Sequence, residues 1–328
     1  MRFQEKTAAE EGFANVWAVH IAPGLGRYRS SFFRRRRFAV LGVIGFFGLI
    51  VPLLIWARRF VEPGSELAPV IYALSALGVS AGWYYLTCKG FVDHVRQFDQ
   101  FMRASVAKHF APIFRLETRP EQAHYYADML QAEGMTRRGD ATISNYHTGN
   151  YRDCSLEFFN VCYERVYYAR NSGRRRSRSY FLIVAIGVPM AFNGEVHIKR
   201  DYGFVANWLR GKVMRKKRLQ VSHHAFEEKF EIYADDPLTA RRLVSRAFCN
   251  NLMAIEAMYP KRFGVLRRPM TALFKDGKFF LVIGNVSDMM SDGISYSHPD
   301  KVQKTARRMI ARLAVMPRIV DYLHGRHG

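Results

Sequence analysis

The chain has 328 residues, long enough for one large or two small folded units, and its 50 Lys and Arg stand against 28 Asp and Glu, a formal net charge of +22. So basic a balance points to anionic partners, either lipid headgroups or nucleic acid. The four cysteines, at 88, 154, 162 and 249, show no C-x-x-C pair and no even framework of a short secreted domain, and read as isolated reduced thiols.

Phe38 to Ala57 is a run of twenty uncharged residues set behind Arg34, Arg35, Arg36 and Arg37. At a helical rise of roughly 1.5 Å per residue it spans about 30 Å, the thickness of a bilayer's hydrocarbon core. Leu67 to Cys88 is a second uncharged run, and the nine residues "RRFVEPGSE" between the two place Pro63 and Gly64 at a turn. We therefore expect an antiparallel transmembrane hairpin. No A-x-A-like site follows the first run, so it is read as a retained span. Arg27, Arg29, Arg34 to Arg37 and, downstream, Lys89, Arg96, Arg103 and Lys108 flank the hairpin, whereas Glu62 and Glu66 offset Arg58 and Arg59 in its loop. By the positive-inside rule, both termini and the main domain are expected on the cytoplasmic side of a bacterial inner membrane.

Gly78 and Gly82 form a G-x-x-x-G pair, and Gly42, Gly45 and Gly48 recur every three residues, so these glycines are candidates for close helix packing within the hairpin or between copies in a homo-oligomer. Neither run contains an ionisable Asp, Glu, Lys, Arg or His, so the hairpin reads as an anchor and not a transporter. The expected organisation is a basic segment at 1–37, the hairpin at 38–88, a helical stalk at 89–135 and an α+β domain of antiparallel strands with packed helices at 136–328.

Beyond the hairpin, Phe91, Val95, Phe98, Met102, Val106 and Phe110 recur at three to four residues, predicting a helix from about Phe91 to Phe114. "RPEQAHYYADMLQAEG" predicts a short helix between Pro120 and Gly134. The stretch from Cys154 to Phe192 predicts two strands joined by a loop, "RNSGRRRSRS", with Arg170, Arg174, Arg175, Arg176 and Arg178 in the loop. With residues 89–328 holding 40 Lys and Arg against 23 Asp and Glu, these arginines and Arg34 to Arg37 are the candidate contacts with anionic lipid headgroups. Nucleic acid would feel the same charge, but no RNA-recognition signature accompanies it, and a tethered chain favours lipid.

Asp236-Pro237 predicts a helix start, and Ala240, Leu243, Val244, Ala247, Phe248, Leu252 and Ile255 fall on one face of a single amphipathic helix. "MTALFKDGKFFLVIG" predicts a hairpin turning at Asp276-Gly277. A last basic helix is expected from Asp300 to about Leu323, kinked at Pro317.

His223, His224, Glu227 and Glu228 place a histidine and a carboxylate four apart, yet lack the H-E-x-x-H order, and strand-like flanks would send the histidines to opposite faces. No phosphate-loop, dinucleotide or G-x-S-x-G motif is present, so no catalytic, cofactor-binding or metal-ligating residue is assigned.

The segment "FEEKFEIYADDPLTARRLVSRAF", with the hairpin ending "KDGKFFLVIG", resembles the bacterial family known as domain of unknown function thirty-one thirty-seven. The residues carrying the resemblance are Phe226, Phe230, Ile232, Tyr233, Asp236, Ala240 and Arg241, with "AFNGEVHI" at a further strand, over a stretch from 38 to about 285. The resemblance implies an N-terminal membrane hairpin, antiparallel strands and a partner among LemA-type membrane proteins, but no chemistry. The function expected is a non-catalytic, membrane-anchored scaffold or adaptor; the alternatives are a tethered enzyme with an unrecognised site, or a lipid- or nucleic-acid-binding module.

Overall fold

Among the described residues, runs of β-branched and aromatic residues bounded by turn residues build one nine-stranded sheet, entirely antiparallel, in the order β1-β2-β3-β4-β9-β8-β5-β7-β6. The computed structural model describes residues 3–57, 78, 82–83, 85, 88–117, 120–169, 173–200, 217–258, 270–286 and 299–324; side chains at 47, 49–57, 169, 173, 258 and 299–300 lie outside the description. The strands are β1 (Phe114–Leu116), β2 (Asp140–Tyr151), β3 (Cys154–Ala169), β4 (Gly173–Gly187), β5 (Val196–Arg200), β6 (Lys217–Leu219), β7 (Phe230–Ala234), β8 (Met270–Lys275) and β9 (Lys278–Gly284). After short helical turns at Ala8–Glu10 and Phe13–Val16, the labelled helices are α1 (Ala22–Ala57), α2 (Lys89–His109), α3 (Glu121–Ala132), α4 (His224–Glu227), α5 (Pro237–Leu243), α6 (Arg246–Met258), α7 (Pro299–Leu313) and α8 (Val315–Leu323). The chain divides into two compact units, one of residues 1–109 and 291–308, the other of residues 110–290 and 309–328.

In the second unit both faces of the sheet's centre are covered, and residues of both parities from Leu182 to Ile186 are buried. On one face Phe159, Val161, Tyr163, Ile183, Leu273, Phe280 and Val282 meet α3, whose apolar residues Ala123, Tyr126, Ala127 and Leu130 follow the helical period. Tyr163 donates its hydroxyl proton to the Ala127 carbonyl at 2.9 Å, and burial pushes its pKa up to about 12. On the other face Phe248 of α6 packs on Phe274 and Phe279, at ring distances of 5.4 and 5.7 Å. The Asp276-Gly277 turn has φ of 51° and 73°, the left-handed pair that the predicted hairpin requires.

In the first unit Phe3, Phe13, Trp17 and Ile21 are buried, and a wide π-helical turn at Trp17–Ile21 leads into α1. α1 and α2 are held together by Tyr28 on Phe98 at 5.0 Å, Phe32 on Phe91 at 5.4 Å, and Arg35 Nη1 donating to the Gly90 carbonyl at 2.7 Å. Within the same unit Arg307 lies over the Phe3 ring at 5.0 Å and pairs with Glu10 at 3.6 Å.

Several expectations need correction. The arginine-rich stretch is not a loop, because β4 begins at Gly173 and carries Arg174, Arg175, Arg176 and Arg178 as paired strand residues. The helix expected through Ile255 breaks between Leu243 and Arg246, where the Ser245 hydroxyl accepts the Phe248 N–H at 3.2 Å and starts a new helix. The last helix breaks at Ala314, three residues before Pro317, which sits in the first turn of α8 where a missing N–H costs little. α2 ends at His109, Phe114 belongs to a strand, and α3 packs on the sheet instead of extending a stalk. Strand β2, with its polar sequence and a register shift between Ser144 and His147, was not anticipated at all.

The first apolar run lies within the unbroken helix α1, and most of the second, including residues 67–77, lies outside the described residues. Among the described residues no helix is long and apolar enough to cross a membrane.

Candidate anionic-surface site

β2 pairs with β3 only as far as Asp140 opposite Glu164, and β9 pairs with β4 only as far as Gly284 opposite Phe181. Beyond those points, among the described residues, β3 and β4 continue with each other alone, from Arg165 opposite Ser177 to Ala169 opposite Gly173. Five such rungs at about 3.3 Å each give a two-stranded ribbon roughly 15 Å long. A ribbon of this kind is marginal by itself; it persists here because both strands are rooted in the sheet.

Alternation sorts the side chains. Glu164, Val166 and Tyr168 share one face with Arg174, Arg176 and Arg178, while Arg165 and Tyr167 share the other with Arg175 and Ser177. All five arginines are exposed, and Tyr168 is 82% exposed, with Tyr167 at 42% and Val166 at 38%. Arg178 Nε reaches Glu164 at 2.8 Å and Arg176 reaches it at 3.4 Å. The hydrogen bond from Arg178, reinforced by the charges of Arg178, Arg176 and Arg174, holds the Glu164 carboxyl below the usual carboxylate range. Among the described residues no carboxylate pairs with Arg165, Arg174 or Arg175. The ribbon is thus a basic projection with aromatic rings between its cations, and its charge also guards two open strand edges against pairing with other chains.

Arg170 lies outside the described residues. Arg34 to Arg37 stand in the middle of α1, immediately before the apolar run. Of the candidate packing glycines, Gly42 accepts a hydrogen bond from Trp83 Nε1, and a Cβ at Gly45 would touch the Trp83 ring at 3.4 Å; nothing lies within 4 Å of a Cβ at Gly48, Gly78 or Gly82 among the described residues. Trp83 therefore uses the glycine stripe as its seat.

The family-motif residues serve the fold. Phe226 and Phe230 are buried with rings 5.0 Å apart, Ala240 is buried, Tyr233 donates to Glu231 at 2.8 Å, and Arg241 is exposed on α5. Asp236 caps α5, accepting the Leu238 and Thr239 N–H groups at 3.0 Å each, and the Thr239 hydroxyl and those two N–H groups hold its pKa below the ordinary value. His223 and His224 are not on a strand: His224 opens the single turn α4 and pairs with Glu228 at 3.3 Å, while His223 contacts Asn250 at 2.7 Å and Glu227 accepts the Val221 N–H at 2.6 Å. All four groups are spent on these contacts.

Two polar clusters gave no sign of themselves in the sequence, since their members are far apart in the chain. Buried Glu157 accepts from Tyr146 at 2.5 Å and Tyr126 at 3.1 Å and pairs with Lys278 at 2.5 Å, a carboxylate closed in beneath α3. The second brings Glu133, Glu195 and fully buried His197 together, with His197 Nε2 at 3.5 and 3.2 Å from the two carboxylates. It is a grouping of three metal-ligating side chains, but Lys275 already bridges both carboxylates at 2.6 and 2.5 Å. Burial pulls the Lys275 pKa down, and the hydrogen bonds and charges of Glu133 and Glu195 outweigh it, so the ammonium is held above its ordinary range. The lysine supplies the cation that these carboxylates require.

Residues 182–324 match the model of the family described as Protein of unknown function (DUF3137). The match bears out the resemblance and shifts its extent: it begins within β4, after the ribbon, and takes in the C-terminal helices. No curated protein matches. The crystal structure of the mycobacterial trehalose monomycolate transport factor A, TtfA, is similar at 16% identity, covering 66% of this chain and 94% of that one with a TM-score of 0.32, a likeness too low to carry an argument about this chain.

Proposed function

We propose that the chain is a non-catalytic, membrane-anchored scaffold whose arginine ribbon docks on the phosphate headgroups of an anionic lipid surface. The observation that carries this reading is the ribbon itself, where Arg165, Arg174, Arg175 and Arg176 stand exposed with Tyr167 and Tyr168 among them and Arg178 at the root. Guanidinium groups match phosphate oxygens bidentately, and tyrosine rings favour the headgroup depth.

The anchor is the hairpin of the two apolar runs, in the bacterial inner membrane with both termini cytoplasmic. α1 runs unbroken through Phe38–Ala57. Phe38, Val40, Leu41, Val43 and Ile44 are 45 to 66% exposed, an apolar surface on α1 suited to lipid. The seat of Trp83 on Gly42 and Gly45 supports close pairing of the two runs. A tethered ribbon meets lipid at high effective concentration, which favours lipid over nucleic acid as its target. The scaffold then holds a membrane-protein partner, of LemA type by the resemblance.

The test holds the full chain in nanodiscs of neutral lipid and measures its recruitment to separate vesicles by flotation. Vesicles rich in phosphatidylglycerol should recruit it and neutral vesicles should not, with binding falling as salt rises. Replacing Arg174, Arg175 and Arg176 by alanine should weaken recruitment roughly hundredfold. Equal recruitment to neutral vesicles would sink the electrostatic reading.

A further inference from the structure

Cys154 opens β3 directly after the tight β2–β3 turn, in which Arg152 and Asp153 take φ of 49° and 66°. Its Sγ lies 3.0 Å from Nε2 of His324, the residue that ends α8. No motif announced this pair, because 170 residues separate its members.

Three features favour a charged form of the pair. The imidazole is close enough to take the thiol proton. It stands at the C-terminal end of a nine-residue helix, where unsatisfied carbonyls stabilise a cation. Asp321, one turn earlier, adds a carboxylate to the same end of the helix. That carboxylate is fixed by the Tyr151 hydroxyl at 3.2 Å and by Arg152 at 3.1 Å, and the Arg152 guanidinium adds positive charge beside the turn. Asp153, in the turn and next to Cys154 in the chain, adds a further charge. A thiol next to a protonated imidazole is the arrangement that makes cysteines nucleophilic near neutral pH.

We infer that Cys154 and His324 form an activated thiol, a modification site for small electrophiles and hydroperoxides. The thiolate sulfur attacks one oxygen of the hydroperoxide and the O–O bond breaks. The departing alkoxide takes the proton from the His324 imidazolium, leaving a cysteine sulfenic acid, a neutral imidazole and an alcohol, or water when the oxidant is hydrogen peroxide. Cys154 is only 5% exposed, so the site selects small reagents. An oxygen added to sulfur does not fit within a 3.0 Å contact, so oxidation separates the β2–β3 turn from the end of α8.

The test uses the full chain in detergent, alkylated with iodoacetamide between pH 5.5 and 8.5, with each cysteine followed by peptide mass spectrometry. Cys88 and Cys162, both more exposed, and the buried Cys249 serve as internal references. Cys154 should react faster than all three below pH 7, and His324→Gln should slow it roughly fivefold or more at pH 6. Hydrogen peroxide should leave a dimedone-reactive sulfenate at Cys154 that added thiol reverses. His324→Gly, with the rate restored by free imidazole, guards against a folding defect in the first variant. Alkylation of Cys154 slower than Cys162 at every pH, or a rate indifferent to both His324 variants, overturns the inference.

Discussion

Glu164 faces Arg178 across the last rung at which β3 still has a neighbour on its other side, and their side chains meet at 2.8 Å. The one carboxylate of the ribbon therefore sits at its root, where it ties down Arg176 and Arg178 and leaves the cations toward the tip for an external anion.

It follows that Glu164→Gln should strengthen recruitment to anionic vesicles, because two arginines lose their internal counter-ion. The change should scarcely move the melting temperature, since the pair is exposed to solvent. Vesicle titrations at two salt concentrations would check this, and weaker binding in the variant would show that Glu164 positions the arginines more than it competes for them.

Packing on α1 offers a second test. Gly45→Leu would drive a branched side chain into the Trp83 ring, where even a Cβ is already in contact at 3.4 Å. The melting temperature of the detergent-solubilised chain should fall, while Gly48→Leu, with open space around it among the described residues, should change it little.

His147 predicts a pH dependence. Its ring is buried, stacked on Phe158 at 4.7 Å, and donates Nδ1–H to the Asn145 carbonyl at 2.8 Å. Burial lowers its pKa, and the hydrogen bond to Asn145 opposes this only in part. The unfolded chain thus binds a proton more readily than the folded one, so the contribution of His147 is full above its unfolded pKa of about 6.5 and is lost as pH falls below it. Chemical denaturation between pH 7.5 and 5 should show stability falling with pH, and His147→Gln should flatten that fall.

Lys275 can be tested by removal. Lys275→Met leaves Glu133 and Glu195 facing each other without their shared ammonium, so the variant should melt lower than the parent at neutral pH. Zinc should restore part of the loss by joining the two carboxylates and His197. The same lowering in the presence and absence of zinc would show that the cluster has no capacity for a metal.

The legible parts of the fold were those with local periodicity or turn chemistry. Ala123, Tyr126, Ala127 and Leu130 mark α3, Asp276-Gly277 marks the hairpin, and Asp236-Pro237 marks the start of α5. The ribbon was misread because arginine and serine have the composition of a loop, and only pairing with Glu164 to Ala169 makes a strand of them. β2 escaped for a related reason: its residues are polar and its register shifts, so no alternation is visible. The clusters around Glu157, around Lys275 and at Cys154 lie between strands and helices distant in the chain, where one sequence carries no trace of proximity.

The central claim concerns what the tip of the ribbon touches. A photo-crosslinking amino acid in place of Tyr168, in the full chain irradiated in its native membrane and followed by mass spectrometry, would identify the contact directly. The account predicts adducts with anionic phospholipid that disappear when Arg174, Arg175 and Arg176 are replaced by alanine. Adducts confined to protein or nucleic acid, with no lipid among them, would contradict it.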